Sequence, residues 1–172
     1  MKLIILAAGD AYELDGFNKL LVKHPVSRKT IIEQYADFFE VDSIEIVVGY
    51  RAMEVMNEFP MFTYHYNRKW QTTGNSYSLA LALDATPCFV VSCDFFLNGS
   101  IFERMTAMDN CVAIRRTENR LPNSVNGAVD ADGRLVKVYR GKCDGLDPEL
   151  PGIFRVTNAR LLTEWKRRCL DA

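Results

Sequence analysis

Three residues far apart in the chain carry the chemistry this sequence offers: Gly9, Lys19 and Asp94. Gly9 follows Ala7 and Ala8 in a stretch almost without side chains, where backbone N–H groups can approach an anion closely. Lys19 adds a point charge at the far end of the same loop, so Leu6, Ala7, Ala8, Gly9 and Lys19 outline a phosphate cradle. Asp94 closes the apolar run Cys88-Phe-Val-Val-Ser-Cys, where a buried strand would end. A lone carboxylate there is costly to bury unless it meets a cation, which makes Asp94 the candidate ligand for Mg²⁺. The alternative is an ordinary strand-end aspartate turning into Asn98-Gly99.

Thr73, Gly74, Asn75 and Ser76 form a second candidate patch. They give a polar entry to a helix predicted over 76–83, whose free N–H groups and positive dipole end would face a bound anion. Asn75 as a plain helix cap is the alternative, and the two roles are compatible. A short glycine motif is shared by many α/β proteins that bind no nucleotide. The second glycine of G-x-G-x-x-G and the G-K-[ST] of a P-loop are both missing, which argues against a dinucleotide site and a P-loop NTPase.

The elements that must position these residues follow the grammar of a parallel sheet. Residues 3–6, 44–50 and 62–66 read as strands, with helices starting at Thr30 and over 52–59 between them. Strand, helix, strand, helix, strand implies helices on both sheet faces and ligands beyond the carboxyl ends of the strands, where the loop from Ala7 to Lys19 falls. Leu20 to Val22 would pack a short segment under that loop, ahead of Pro25. Further on, strands are expected at 88–93, 111–116 and 152–156, a hairpin turn at 130–133 between 125–129 and 135–139, and a last helix over 158–169. Arg115, Arg116, Arg140 and Lys142 would form a basic rim, although a solvated face is the default for each.

Composition bounds the rest. At 172 residues, 48% hydrophobic and 25% charged, the chain should fold as one domain with a sizeable core. Its net charge of −1 gives no reason to propose nucleic acid or an anionic membrane as a partner. No apolar run approaches a membrane span or a secretory signal, so a cytoplasmic protein is expected. Cys88, Cys93, Cys111, Cys143 and Cys169 are odd in number and hold no C-x-x-C pair, which suggests reduced thiols rather than disulfides or zinc.

With these segments in place, the chain resembles the sugar-phosphate nucleotidyltransferases, in particular their phosphocholine cytidylyltransferase branch. The matching pieces are Leu6-Ala-Ala-Gly9, Lys19-Leu-Leu, the 67–80 stretch with Gly74-Asn75-Ser76-Tyr77-Ser78, Val90-Val-Ser-Cys-Asp94 and Leu150-Pro-Gly152-Ile-Phe, in the family's order. The resemblance implies a Rossmann-like α/β fold of the GT-A-like kind, with a mostly parallel central sheet and helices on both faces. It implies transfer of CMP from CTP, or of another nucleotide from its NTP, to a small phosphorylated acceptor with release of pyrophosphate, for a surface polysaccharide or lipid. Lys19 would steady the triphosphate, Asp94 would hold Mg²⁺, and Thr73, Gly74 and Asn75 would meet the base. A nucleotide-binding or regulatory domain of the same fold without catalysis is the alternative, and a guanylyltransferase or glycosyltransferase of related architecture is a third.

Three departures from the family pattern shape the expectation. The loop Gly9-Asp-Ala-Tyr-Glu-Leu-Asp carries carboxylates and no arginine before Lys19, so triphosphate there needs metal to screen it. The expectation is that the family's C-terminal extension and its further metal-binding aspartate are lacking, which would leave a second ligand missing or drawn from another chain; monomer and homodimer both stay open. Where the phosphocholine enzymes carry tryptophan before Leu-Pro, this sequence reads Asn119-Arg120-Leu121-Pro122. An arginine disfavours a fixed cation, so the expected acceptor is a sugar phosphate, a phosphonate or a phosphorylated amino compound. Arg116, Arg120 or Lys142 would meet its phosphate and Glu149 its polar end.

Overall fold

The computed structural model describes residues 1–172 except Tyr12, Glu13, Glu118, Asn119, Asp144, Ala172 and the side chain of Val41. Asn119, and the Tyr12 and Glu13 of the acidic loop, therefore lie outside the described residues. The chain divides into two compact units, Met1–Cys111 with Phe154–Ala172, and Val112–Ile153.

The first unit is built on a run of parallel strands. β1 (Lys2–Ala7) pairs in parallel with β2 (Ile44–Val48) on one side and β4 (Cys88–Ser92) on the other, and β2 pairs in parallel with β3 (Thr63–Tyr66). With β5 (Asn110–Val112) and β8 (Ile153–Val156) the sheet order is β3-β2-β1-β4-β8-β5. The chain runs outward from β1 to β3 and then returns to the other side of β1 as β4. The reversal lies between β1 and β4, the crevice where open α/β sheets bind ligands.

Side chains alternate across the sheet as a strand period of two requires. Ile4, Val47 and Val90 face α3 (Asn75–Ala82) and α5 (Ala159–Leu170) in a core with Leu79, Leu83 and Leu162. Phe89 points the other way, edge-on to Phe39 and to Phe102 of α4 (Ser100–Thr106). Tyr35 of α1 (Ile31–Ala36), fully buried, meets the same Phe102. Helices thus cover both faces.

The expected elements form, with edges moved by a residue or two. α2 (Ala52–Glu58) ends before Pro60, and Lys19–Leu21 closes as a 3-10 turn capped by Asn18. The strand expected over 111–116 stops at Val112. Arg115 instead joins Glu149 in an isolated antiparallel bridge. The expectations pass from Asn98-Gly99 directly to that strand and miss α4, whose seven residues bury only Phe102 and Met105 and so give no periodicity to read.

The second unit holds the hairpin of β6 (Val125–Val129) and β7 (Leu135–Arg140). Its turn forms as expected. The Asp130 carboxylate accepts from the N–H groups of Asp132 and Arg134, at 3.0 and 2.8 Å, and Gly133 takes the left-handed conformation the reversal needs. Asn126 is fully buried and donates to the carbonyls of Ser124 and Gly141 while accepting from Arg120 Nη1 at 2.8 Å.

Candidate functional site

Four loops leave the carboxyl ends of β1 to β4 at one edge of the first unit, and hydrogen bonds tie each to its neighbour. Cys93 N donates to Leu6 O across β4 and β1, Tyr50 N donates to Ala8 O, and Asn67 N donates to Val48 O. The Ala7 to Lys19 loop and the Asp94 loop are therefore adjacent at the reversal in strand order.

Lys19 and Asp94 meet there. Lys19 Nζ lies 2.6 Å from Asp94 Oδ1 although 75 residues separate them. Each is held from behind. Asn18, only 4% exposed, accepts from Leu20 N at 3.0 Å through its side-chain oxygen and donates to Tyr50 O at 3.1 Å, which fixes the turn bearing Lys19. The loop bearing Asp94 is pinned by α1: Tyr35 Oη donates to Phe95 O and Gln34 Oε1 accepts from Leu97 N. α1 starts at that position because Thr30 and Glu33 form a reciprocal capping box. The neighbouring Cys93 is no candidate nucleophile, since burial and then the Asp94 charge push its thiol up to about 12.

The glycines separate into two kinds. Gly49 is required by packing, because a Cβ there would come within 2.6 Å of both Ala8 O and Trp70 Cβ. Others are held at positive φ, among them Gly16, Gly133 and Gly141. Gly9 and Gly74 alone have neither reason: a Cβ on either meets no atom within 4 Å, and neither backbone is left-handed. Nothing inside the described protein demands glycine at these two positions, one in the expected phosphate cradle and the other in the stretch that the resemblance assigns to the base.

Gly74, not Asn75, is the N-cap of α3, and no side chain caps the helix. The capping alternative for Asn75 is thereby set aside. Asn75 and Ser76 stand exposed in the first turn. The loop before them is organised by Asn67, fully buried, which donates to the hydroxyls of Thr73 and Ser78 at 3.0 Å each and accepts from Lys69 N at 2.9 Å. Thr73 is tied back to Lys69 O as well, so its hydroxyl is committed to the loop. Sequence reasoning gave Asn67 no role; its only signal is an asparagine directly after a strand.

In the second unit, Arg116, Arg120 and Lys142 line one groove of about 770 Å³ with Leu121, Pro122 and Leu146. Glu149 is not among its lining residues. It is buried, accepting from the Ser124 hydroxyl at 2.7 Å and from Arg115 Nε at 2.7 Å. Burial would push this carboxyl up, but the hydrogen bonds from Ser124 and Arg115 together with the positive charges of Arg115 and Arg120 outweigh it and hold it below its ordinary value. Glu149 and Arg115 are thus engaged with each other in the unit's own structure, Glu149 buried and Arg115 with its side chain still half exposed.

No protein-family model and no curated protein matches the chain. Solved structures do. CTP:phosphocholine cytidylyltransferase (LicC) from Streptococcus pneumoniae superimposes with a TM-score of 0.69 at 19% identity, covering 99% of this chain and 78% of that one. The chain has the nucleotidyltransferase fold. HddC from Yersinia pseudotuberculosis gives a TM-score of 0.69 at 14% identity over 95% of this chain and 79% of its own. The nucleoside-diphosphate-sugar pyrophosphorylase from Vibrio cholerae gives 0.65 at 12% identity over 100% and 79%. Among the described residues no helix is long and apolar enough to cross a membrane.

Proposed function

We propose that the protein is a Mg²⁺-dependent nucleotidyltransferase that moves a nucleotidyl group, CMP from CTP in the first instance, to a small phosphorylated acceptor. The observation that carries this reading is the approach of Lys19 to Asp94 at the reversal in strand order, beside a Gly9 that the protein itself does not require. The likeness to a CTP:phosphocholine cytidylyltransferase supports the choice of chemistry.

In the reaction a phosphate oxygen of the acceptor forms a bond to the α-phosphorus of the NTP. The bond from that phosphorus to the bridging oxygen breaks, and pyrophosphate leaves with the electron pair. Such transfer calls for positioning and charge neutralisation rather than a protein nucleophile. Lys19 binds and neutralises the triphosphate, backbone N–H groups around Gly9 line it, and the uncapped first turn of α3 faces the nucleoside. Among the described residues no three carboxylate, histidine or cysteine groups converge, so Asp94 is not part of a three-ligand protein cage. That suits Mg²⁺ held by one carboxylate together with substrate phosphates and water, and the bound ion supplies charge neutralisation of those phosphates. Within the second unit, the groove lined by Arg116, Arg120 and Lys142 carries cationic side chains that suit a phosphorylated compound.

The test is pyrophosphate release from CTP, dTTP and GTP with Mg²⁺ and phosphocholine, a sugar 1-phosphate, a phosphonate and a phosphorylated amino alcohol. Wild type should turn over one pairing and Asp94→Ala none. Wild type and Asp94→Ala equally silent while NTP still binds would replace the enzyme by a nucleotide-binding or regulatory domain of the same fold.

A further inference from the structure

Tyr50 touches the loop between β1 and Lys19 at its start, middle and end. Its backbone N–H donates to Ala8 O at 2.9 Å, its hydroxyl donates to Gly16 O at 3.3 Å, and its carbonyl accepts from Asn18 Nδ2 at 3.1 Å. Its ring lies edge-on to Trp70 at 5.3 Å, in the loop that leads to Gly74, and the Arg51 guanidinium sits over it at 5.6 Å. Two features fit the chain to this arrangement. Gly49 lets the backbone pass between Ala8 O and Trp70, where any Cβ would collide, and Arg51 adopts a left-handed conformation that turns the chain into α2 immediately afterwards.

We infer that Tyr50 is a positioning residue that holds the Ala8 to Asn18 loop in its phosphate-binding form and couples it to the loop before α3. The inference rests on the proposed function, because it names what sets the shape of that same site. The loop is long, carries Asp10 and Asp15, and holds Asp15 and Gly16 at positive φ; among the described residues its internal backbone bonds, Leu14 N to Ala11 O and Phe17 N to Leu14 O, involve neither Gly9 nor Lys19. The two backbone bonds of Tyr50 persist with any side chain. The hydroxyl bond to Gly16 and the ring contact with Trp70 belong to tyrosine, and they are what a substitution can remove separately.

The experiment uses the full chain with Mg²⁺ and measures binding of CTP, dTTP and GTP and of the matching nucleosides to wild type, Tyr50→Phe and Tyr50→Leu. Tyr50→Phe keeps the ring against Trp70 and removes only the hydroxyl, so it should weaken NTP binding roughly three- to tenfold, the worth of one hydrogen bond, with nucleoside binding unchanged. Tyr50→Leu should weaken both. Amide exchange across residues 9–17 without nucleotide should quicken in Tyr50→Phe while the strands stay protected. NTP affinity and loop exchange both equal to wild type in Tyr50→Phe would overturn the inference alone, as would an equal loss for NTP and nucleoside. Failure of wild type to bind any NTP would overturn the proposed function and this inference with it.

Discussion

Replacing Gly9, Gly74 and Gly49 in turn by alanine separates what the protein needs from what a ligand needs. At Gly9 and Gly74 a Cβ meets no atom within 4 Å, and Gly74 has φ −89° and ψ −172°, a conformation alanine adopts without strain. Folding should then be unharmed, or helped by about 0.4–1 kcal/mol, because alanine has fewer unfolded conformations to lose. For a chain of this size that is a rise of roughly 1–4 °C in Tm. At Gly49 the same methyl would lie 2.6 Å from Ala8 O and 2.6 Å from Trp70 Cβ. Relief requires moving backbone, so a loss of about 1–3 kcal/mol is expected, as for other overpacked sites. Thermal unfolding measures the first quantity and NTP binding by calorimetry the second. Gly9→Ala and Gly74→Ala should keep or raise Tm while losing NTP affinity, whereas Gly49→Ala should lose Tm first. A Gly9→Ala protein that is destabilised by more than about 1.5 kcal/mol, or that binds NTP as wild type does, would refute the assignment of that glycine to a ligand.

Two other perturbations probe the supports of the two units. Asn67→Ala removes the partner of Lys69 N and of the Thr73 and Ser78 hydroxyls in a fully buried position, so it should cost about 2–3 kcal/mol, read as a fall of roughly 5–10 °C in Tm. An unchanged Tm would show that water or side-chain rearrangement replaces those bonds. Glu149 has a folded-state pKa depressed below its unfolded 4.5, so its contribution to stability is present above that pH and is lost as pH falls through the lower folded value. Unfolding followed from neutral to acid pH should show wild type losing more stability than Glu149→Gln, and parallel curves would rule the contribution out.

The parts legible in the sequence were those set by local rules. A strand of apolar residues emptying into Ala7-Ala8-Gly9 and another ending at Asp94 were enough to place both loops at one edge, because parallel strands share their carboxyl ends. The Asp130 to Gly133 turn was readable because its chemistry is contained in four residues. What escaped depends on partners distant in the chain. Nothing near Glu149 announces Arg115, which lies 34 residues away, and nothing near Tyr50 announces its bonds to Gly16 and Asn18. Asparagine is a favoured cap anywhere, so the sequence allows Asn75 that role; the backbone instead enters the helix one residue earlier, at Gly74.

The exposure of the Lys19 and Asp94 pair bears on how such a site can work. Their side chains are 30% and 46% exposed, so water screens the pair, and its worth is about 0–1 kcal/mol despite the 2.6 Å contact. A fully buried pair would be locked by several kcal/mol, since parting it strands each charge in a medium of low dielectric. On the proposed function Lys19 must give up Asp94 for the triphosphate, and Asp94 must give up Lys19 for the cation that accompanies it. The weak pair holds two opposite charges in register at the reversal of strand order while costing little to exchange.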